Sequence, residues 1–153
     1  MIPLVLAIHT IAAVVWVGGM FFAVAAFEPA LRIIPEPLRL TVWRDAFQRF
    51  FRWAWACLTA ILVTGYSVVY YGYEGFAAAG LHIHIMQISG LLMVFLFVCM
   101  WCVYWQELRH AMEQEHEAAA EHALKRMRQL IVVILVLGLF TSAIGATGGF
   151  WTY

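Results

Sequence analysis

Long apolar stretches alternate with short charged ones along this chain. Residues 1–27, 53–73, 75–106 and 129–153 contain no Asp, Glu, Lys or Arg. About 20 helical residues cross a hydrocarbon core roughly 30 Å thick, so each run is long enough to span a membrane. The runs are continuous, unlike the alternating strands of a barrel, and in lipid only helices or closed barrels satisfy the backbone. The pattern predicts an all-α fold, a four-helix transmembrane bundle with spans at about 2–27, 53–73, 81–106 and 130–151, in a single domain 1–153. The first run lacks a basic n-region, is too long for a signal and shows no small-residue cleavage site, so it is expected to remain as helix 1.

The polar segments orient the bundle. Arg32, Arg39, Arg44, Arg49 and Arg52 lie between spans 1 and 2, and Arg109, Lys125, Arg126 and Arg128 between spans 3 and 4. The connection between spans 2 and 3 carries only Glu74, so the positive-inside rule expects both termini on the outer, periplasmic side. Pro29, Pro35 and Pro37 break the chain after span 1, and residues 38–52 are expected as an amphipathic stretch at the interface. Residues 107–128, rich in Glu, Ala, His and Arg, are expected to continue as solvated helix. Trp53, Trp55, Tyr70, Tyr71, Tyr73, Trp101, Trp105 and Trp151 fall near span ends, where an aromatic belt belongs.

Composition agrees with the pattern: 65% of the 153 residues are hydrophobic and 12% charged, far from the roughly 25% charge of a soluble domain. Nine basic and nine acidic residues give a formal net charge of zero, which argues against a nucleic-acid partner and leaves membrane lipid as the surrounding medium.

Three histidines stand out against this background: His9 in span 1, and His82 and His84 at the start of span 3. An ionisable residue inside a span is costly, and by default it marks a functional site facing the bundle interior. Spans 1 and 3 enter from the same side, which places all three in the outer leaflet. An imidazole from each of two helices is how a bundle holds a cofactor, and a b-type haem with two histidine ligands is the natural occupant. His82 and His84 are two residues apart, about 200° around a helix, so only one of them can serve the same iron as His9. The His82 face continues through Met86, Ser89, Gly90 and Met93, and the His84 face through Gln87, Leu91, Phe95 and Cys102. Trp16, Gly18, Gly19 and Gly90 are the expected packing surface for the macrocycle, with Tyr66, Tyr70 and Thr147 as candidate partners of its propionates.

Other residues suit copper. Met20, Met86, Met93 and Met100, with Cys57, Cys99 and Cys102, are soft donors for Cu(I), although methionines repeating every seven residues also make ordinary helix packing. Cys99 and Cys102 form an isolated C-x-x-C, and no disulfide framework is expected. His110, His116 and His122 among their glutamates read as a solvated, salt-bridged face. Gly145 and Gly149 form a G-x-x-x-G near the end of span 4, a pattern compatible with a homodimer.

The stretches Ile8-His9-Thr10, Val15-Trp16-Val17-Gly18-Gly19-Met20, Arg49-Phe50-Phe51-Arg52-Trp53-Ala54-Trp55, Thr64-Gly65 and Lys125-Arg126-Met127-Arg128-Gln129-Leu130-Ile131 resemble the copper-resistance D (CopD) family of bacterial inner-membrane proteins. The chain is also similar to the related HemJ-type protoporphyrinogen oxidases. The CopD resemblance implies copper handling across the inner membrane. The HemJ resemblance implies a haem b ligand at the position of His9. It also implies a functional Leu-His-x-Lys at the start of helix 3, where this chain has Leu81-His82-Ile83-His84, with His84 in place of the lysine.

The expectation from these readings is a multi-pass inner-membrane b-type haem protein for electron transfer or membrane redox chemistry. His9 and either His84 or His82 are its axial ligands, and its redox partner is a protein or a quinone. Copper binding or transport is the alternative, and protoporphyrinogen IX oxidation a further one, which leaves open whether the chain is an oxidoreductase.

Overall fold

The computed structural model describes residues 1–151, and the last two residues of the expected 1–153 domain lie outside the described residues. Four helical segments, each long and apolar enough to cross a membrane, account for almost all of it: α1 (Ile2–Ile33), α2 (Glu36–Gly72), α3 (Leu81–Glu113) and α4 (Glu117–Phe150). The fold is all-α, and no strand occurs among the described residues. This is a multi-pass membrane protein.

The breaks follow from local chemistry. Ile34 is extended, because a residue preceding proline is pushed out of the helical region, and Pro35 then caps α2. Within α1, a proline at position 29 would lose a helical hydrogen bond and clash one turn back, and a π-turn over Ala23–Phe27 relieves it. The α2–α3 connection turns at Glu74 and Gly75, both at positive φ, with Gly75 N–H donating to the Val69 carbonyl at 3.0 Å. Glu115, also at positive φ, makes the α3–α4 turn, and His116 N–H donates to the Ala111 carbonyl at 2.9 Å.

α1 packs along α2, α3 along α4, and α1 also touches α4. α2 and α3 keep their backbones further apart and are bridged by rings: Phe51–Trp101 at 4.8 Å, Trp55–Phe97 at 5.2 Å and Phe51–Phe97 at 5.8 Å between centroids. These rings lie toward the end of the bundle that carries the arginines, called here the basic end; the opposite one is the histidine end. The apolar core is concentrated in the basic half, from Ala12, Trp16, Leu58 and Met93 down to Leu108 and Leu124.

Three expectations need correcting. Residues 38–52 are not a separate stretch lying on the interface. They are the first half of α2, continuous with its span, because Leu40, Trp43, Phe47 and Phe51 bury one helical stripe against the other helices. Residues 107–128 are two helices around a turn, and their Leu108, Ala111, Ala120, Ala123 and Leu124 are buried, so this region is a packed hairpin and only its outer face is solvated. Trp105 likewise belongs to the core, at 3% exposure, and not to an interfacial belt. Ion pairs tie the same end together: Glu28 contacts Arg128 and, at 3.9 Å, Arg32, while Arg39 lies 3.2 Å from Glu36 and 3.6 Å from Glu121.

Candidate functional site in the histidine half

The half of the bundle that lacks the apolar core holds all the buried polar side chains among the described residues: Thr64, Ser89 and His82. His9 is half-buried on the face of α1 that also carries the buried Ala12, Trp16 and Met20, so it points into the bundle. Its Nδ1 lies 3.0 Å from Thr64 Oγ1 on α2. Thr64 has one hydroxyl proton, donated to the Ala60 carbonyl one turn earlier. With that proton so placed, the oxygen is free to accept from a protonated Nδ1, the tautomer that leaves the Nε2 lone pair for a ligand. Gly65 completes the seat, since a Cβ there would stand 3.2 Å from His9 Cε1. Thr64 and Gly65 were legible in the sequence only as part of a family-like dipeptide, and their role comes from the contact.

His82 and His84 go separate ways, as their angular separation requires. His82, 8% exposed, faces α4, and the approach is so close that a Cβ on Gly148 would clash with its side chain. Its ring also sits 6.4 Å from Tyr73 and 6.3 Å from Trp151. His84 is exposed, and its ring lies 6.3 Å from that of Phe76 in the α2–α3 connection. Phe76 in turn meets Tyr66 and Tyr70, and Gln87 Nε2 donates to Tyr66 Oη at 2.6 Å. The His84 side of α3 thus faces α2, across the gap between those two helices.

The His82 side is a packing seam. His82, Met86, Ser89 and Met93 on α3 meet Gly148, Gly145, Thr141 and Gly138 on α4, with Thr141 Oγ1 2.7 Å from Ser89 Oγ. A Cβ at Gly138 would lie 2.9 Å from Val17 Cγ2 and 3.1 Å from Met93 Cε. Small residues at close helix contacts are the usual device where lipid removes the hydrophobic drive for association. The methionine stripe is part of this packing, and Met100 continues it as a fully buried side chain. Gly145 of the G-x-x-x-G is spent on Met86 of the same chain, while Gly149 meets nothing within 4 Å.

Of the expected cofactor-packing residues, Gly90 has open space where a Cβ would be, and so does Gly18, which is exposed. Gly19 is taken up by Phe50 of α2, 3.0 Å from its would-be Cβ. Trp16 is buried edge-on against Phe97 at 5.8 Å, and its indole Nε1 has no hydrogen-bond partner. Thr147 donates to the Ala143 carbonyl. Among the described residues, no three His, Cys, Asp or Glu side chains converge on a point where they could share a metal ion. Cys57 is buried, and Cys99 and Cys102 face progressively outward, all as free thiols.

A protein-family model described as copper resistance protein D matches residues 44–147. The match takes in most of α2, all of α3 and nearly all of α4, and leaves α1 with His9 outside. No curated protein matches the chain, and no solved structure does.

Proposed function

The chain belongs to the copper resistance protein D family, and on the geometry of its histidine half we propose that it is a haem b protein of the membrane, serving electron transfer or membrane redox chemistry with His9 as a residue that would hold the iron. The observation that carries this reading is the His9–Thr64 contact, which holds the imidazole at Nδ1 and leaves Nε2 as the nitrogen for a ligand. Metal-ligating histidines are characteristically held this way by their second nitrogen.

No group of three His, Cys, Asp or Glu that could hold a bare ion forms among the described residues, which leaves the methionines as the donors for copper. Haem brings four nitrogens of its own and asks the protein for one or two. His84 is the second ligand this reading prefers, because it stands on the face of α3 turned toward α2, whereas His82 is engaged against Gly148. Gly65 lets the His9 ring lie close on α2. With both axial positions filled, haem iron exchanges electrons and does not bind oxygen.

The test is an absorption spectrum of the purified protein with iron and copper counts. A Soret band with sharp reduced α and β bands is expected, and it should be lost in His9→Ala. A colourless protein from haem-replete cells, or His9→Ala with full haem, would overturn the reading. Family membership itself favours a second reading, copper binding or transport. Copper retained without iron, and lost on substitution of Met86 and Met93, would establish that reading instead.

A further inference from the structure

Two arginines sit at an unexpected depth. Phe27, the last residue of the uncharged run of α1, packs on Trp43 of α2 at 4.9 Å between centroids, whereas Gly19, eight residues deeper, meets Phe50. At about 1.5 Å per residue, Phe50 therefore lies roughly 10 Å on the membrane side of the end of that run. α3 agrees: Phe51 packs on Trp101, which lies inside the uncharged run ending at Gln106. Arg49 and Arg52 flank these two phenylalanines, and both are exposed on the outside of the bundle. The ion pairs among the described residues use Arg32, Arg39, Arg44, Arg109 and Arg128, and neither of these two.

A lipid-facing arginine at that depth is costly unless its guanidinium snorkels to the interface and finds an anion. Beside Arg49, an apolar groove of about 220 Å³ runs along the α1–α2 seam, with Gly19, Phe22 and Ala23 on one wall and Trp43, Ala46 and Phe50 on the other. The π-turn at Ala23–Phe27 forms its lower part. Arg49 lies between Ala46 and Phe50 along α2, at the height of the groove.

We propose that this seam is a binding site for one anionic phospholipid, with an acyl chain in the groove and the phosphate held by Arg49, which is about 60° round α2 from Ala46 of the groove wall, whereas Arg52 is on the opposite side of the helix. The two features complement each other in charge and polarity: the Arg49 guanidinium reaches toward the basic end and meets the headgroup, and the chain rises from there along Ala46 and Phe50 toward the membrane centre. Nothing in this inference depends on the ligand of His9, which is in the other half of the bundle.

Native mass spectrometry of the full chain, released from vesicles of phosphatidylglycerol and phosphatidylcholine in equal parts, tests it. One phosphatidylglycerol should be retained preferentially, and Arg49→Gln should weaken retention about fivefold, as loss of one basic contact near an anionic headgroup does, whereas Arg52→Gln, on the opposite side of α2, should leave retention unchanged. Ala46→Trp, which fills the groove and keeps the charge, should also release the lipid, and Arg49→Lys should retain it. Equal retention of the two lipids would overturn the proposal. So would an equal loss in Arg126→Gln, which removes an exposed charge elsewhere at the basic end, or full retention in Ala46→Trp. Inorganic phosphate should not displace the lipid; if it does, the site is one for free phosphate and the proposal fails.

Discussion

Replacing Thr64 by Val separates what the His9 contact does for the fold from what it does for a ligand. The two side chains have nearly the same shape, so the exchange removes one hydroxyl at the α1–α2 contact and leaves the packing intact. That hydroxyl accepts the His9 Nδ1–H at 3.0 Å and returns its own proton to the Ala60 carbonyl. Interhelical hydrogen bonds in membranes contribute about 0.6 kcal/mol on average, so thermal unfolding in detergent should barely move. The ligand should respond more strongly. Without its acceptor the imidazole is free to turn, and its proton is free to move to Nε2, the atom that must stay bare to bind iron. Loss of such an outer partner typically costs roughly 10–100-fold in affinity, or about 1.4–2.7 kcal/mol. Haem titration followed at the Soret band measures this directly, with Thr64→Ser, which keeps the hydroxyl, expected to behave like the parent. Thr64→Val binding haem within about twofold of the parent would refute the argument that the Thr64 contact prepares His9 as a ligand.

Other substitutions probe the remaining contacts. Gly65→Ala would place a methyl 3.2 Å from His9 Cε1 and should lower haem occupancy with little change in helix content by circular dichroism. Gly138→Ala crowds Val17 and Met93 and should destabilise the bundle by about 1–3 kcal/mol, read from thermal unfolding in detergent, whereas Gly90→Ala meets nothing within 4 Å and should be neutral or slightly stabilising for the unliganded protein. Glu28→Gln removes the partner that Arg128 and Arg32 share, and should lower the unfolding midpoint by an amount corresponding to about 1 kcal/mol, since the pair is only partly buried. A phosphatase reporter fused at the C-terminus should be active, and one inserted at Glu115 inactive, if the arginine-rich end faces the cytoplasm.

The sequence by itself determined the number of spans and the fold class, because the cost of exposing backbone and charge in lipid is so large that four uncharged runs admit one solution. It also singled out His9, since an ionisable group in an apolar run is conspicuous without any partner in view. Where helices end was less legible. The charges of residues 36–52 and 107–128 suggested chain outside the bundle, while the apolar stripe within each is buried against neighbouring helices, and only those neighbours decide that. Angular spacing separated His82 from His84, but which of them would face α4 depended on the run of Gly138, Thr141, Gly145 and Gly148 opposite. The methionine stripe read from the sequence as helix packing with soft ligation as the alternative, and those same small residues receive Met86 and Met93. Thr64 and Gly65 gave almost no signal of their own, because a threonine and a glycine in a membrane helix are ordinary. Their meaning lies in a distance across two helices, 55 residues apart in the chain and 3.0 Å apart in space. Local chemistry is written along the sequence, whereas a contact between helices depends on rotation and height, which only packing sets.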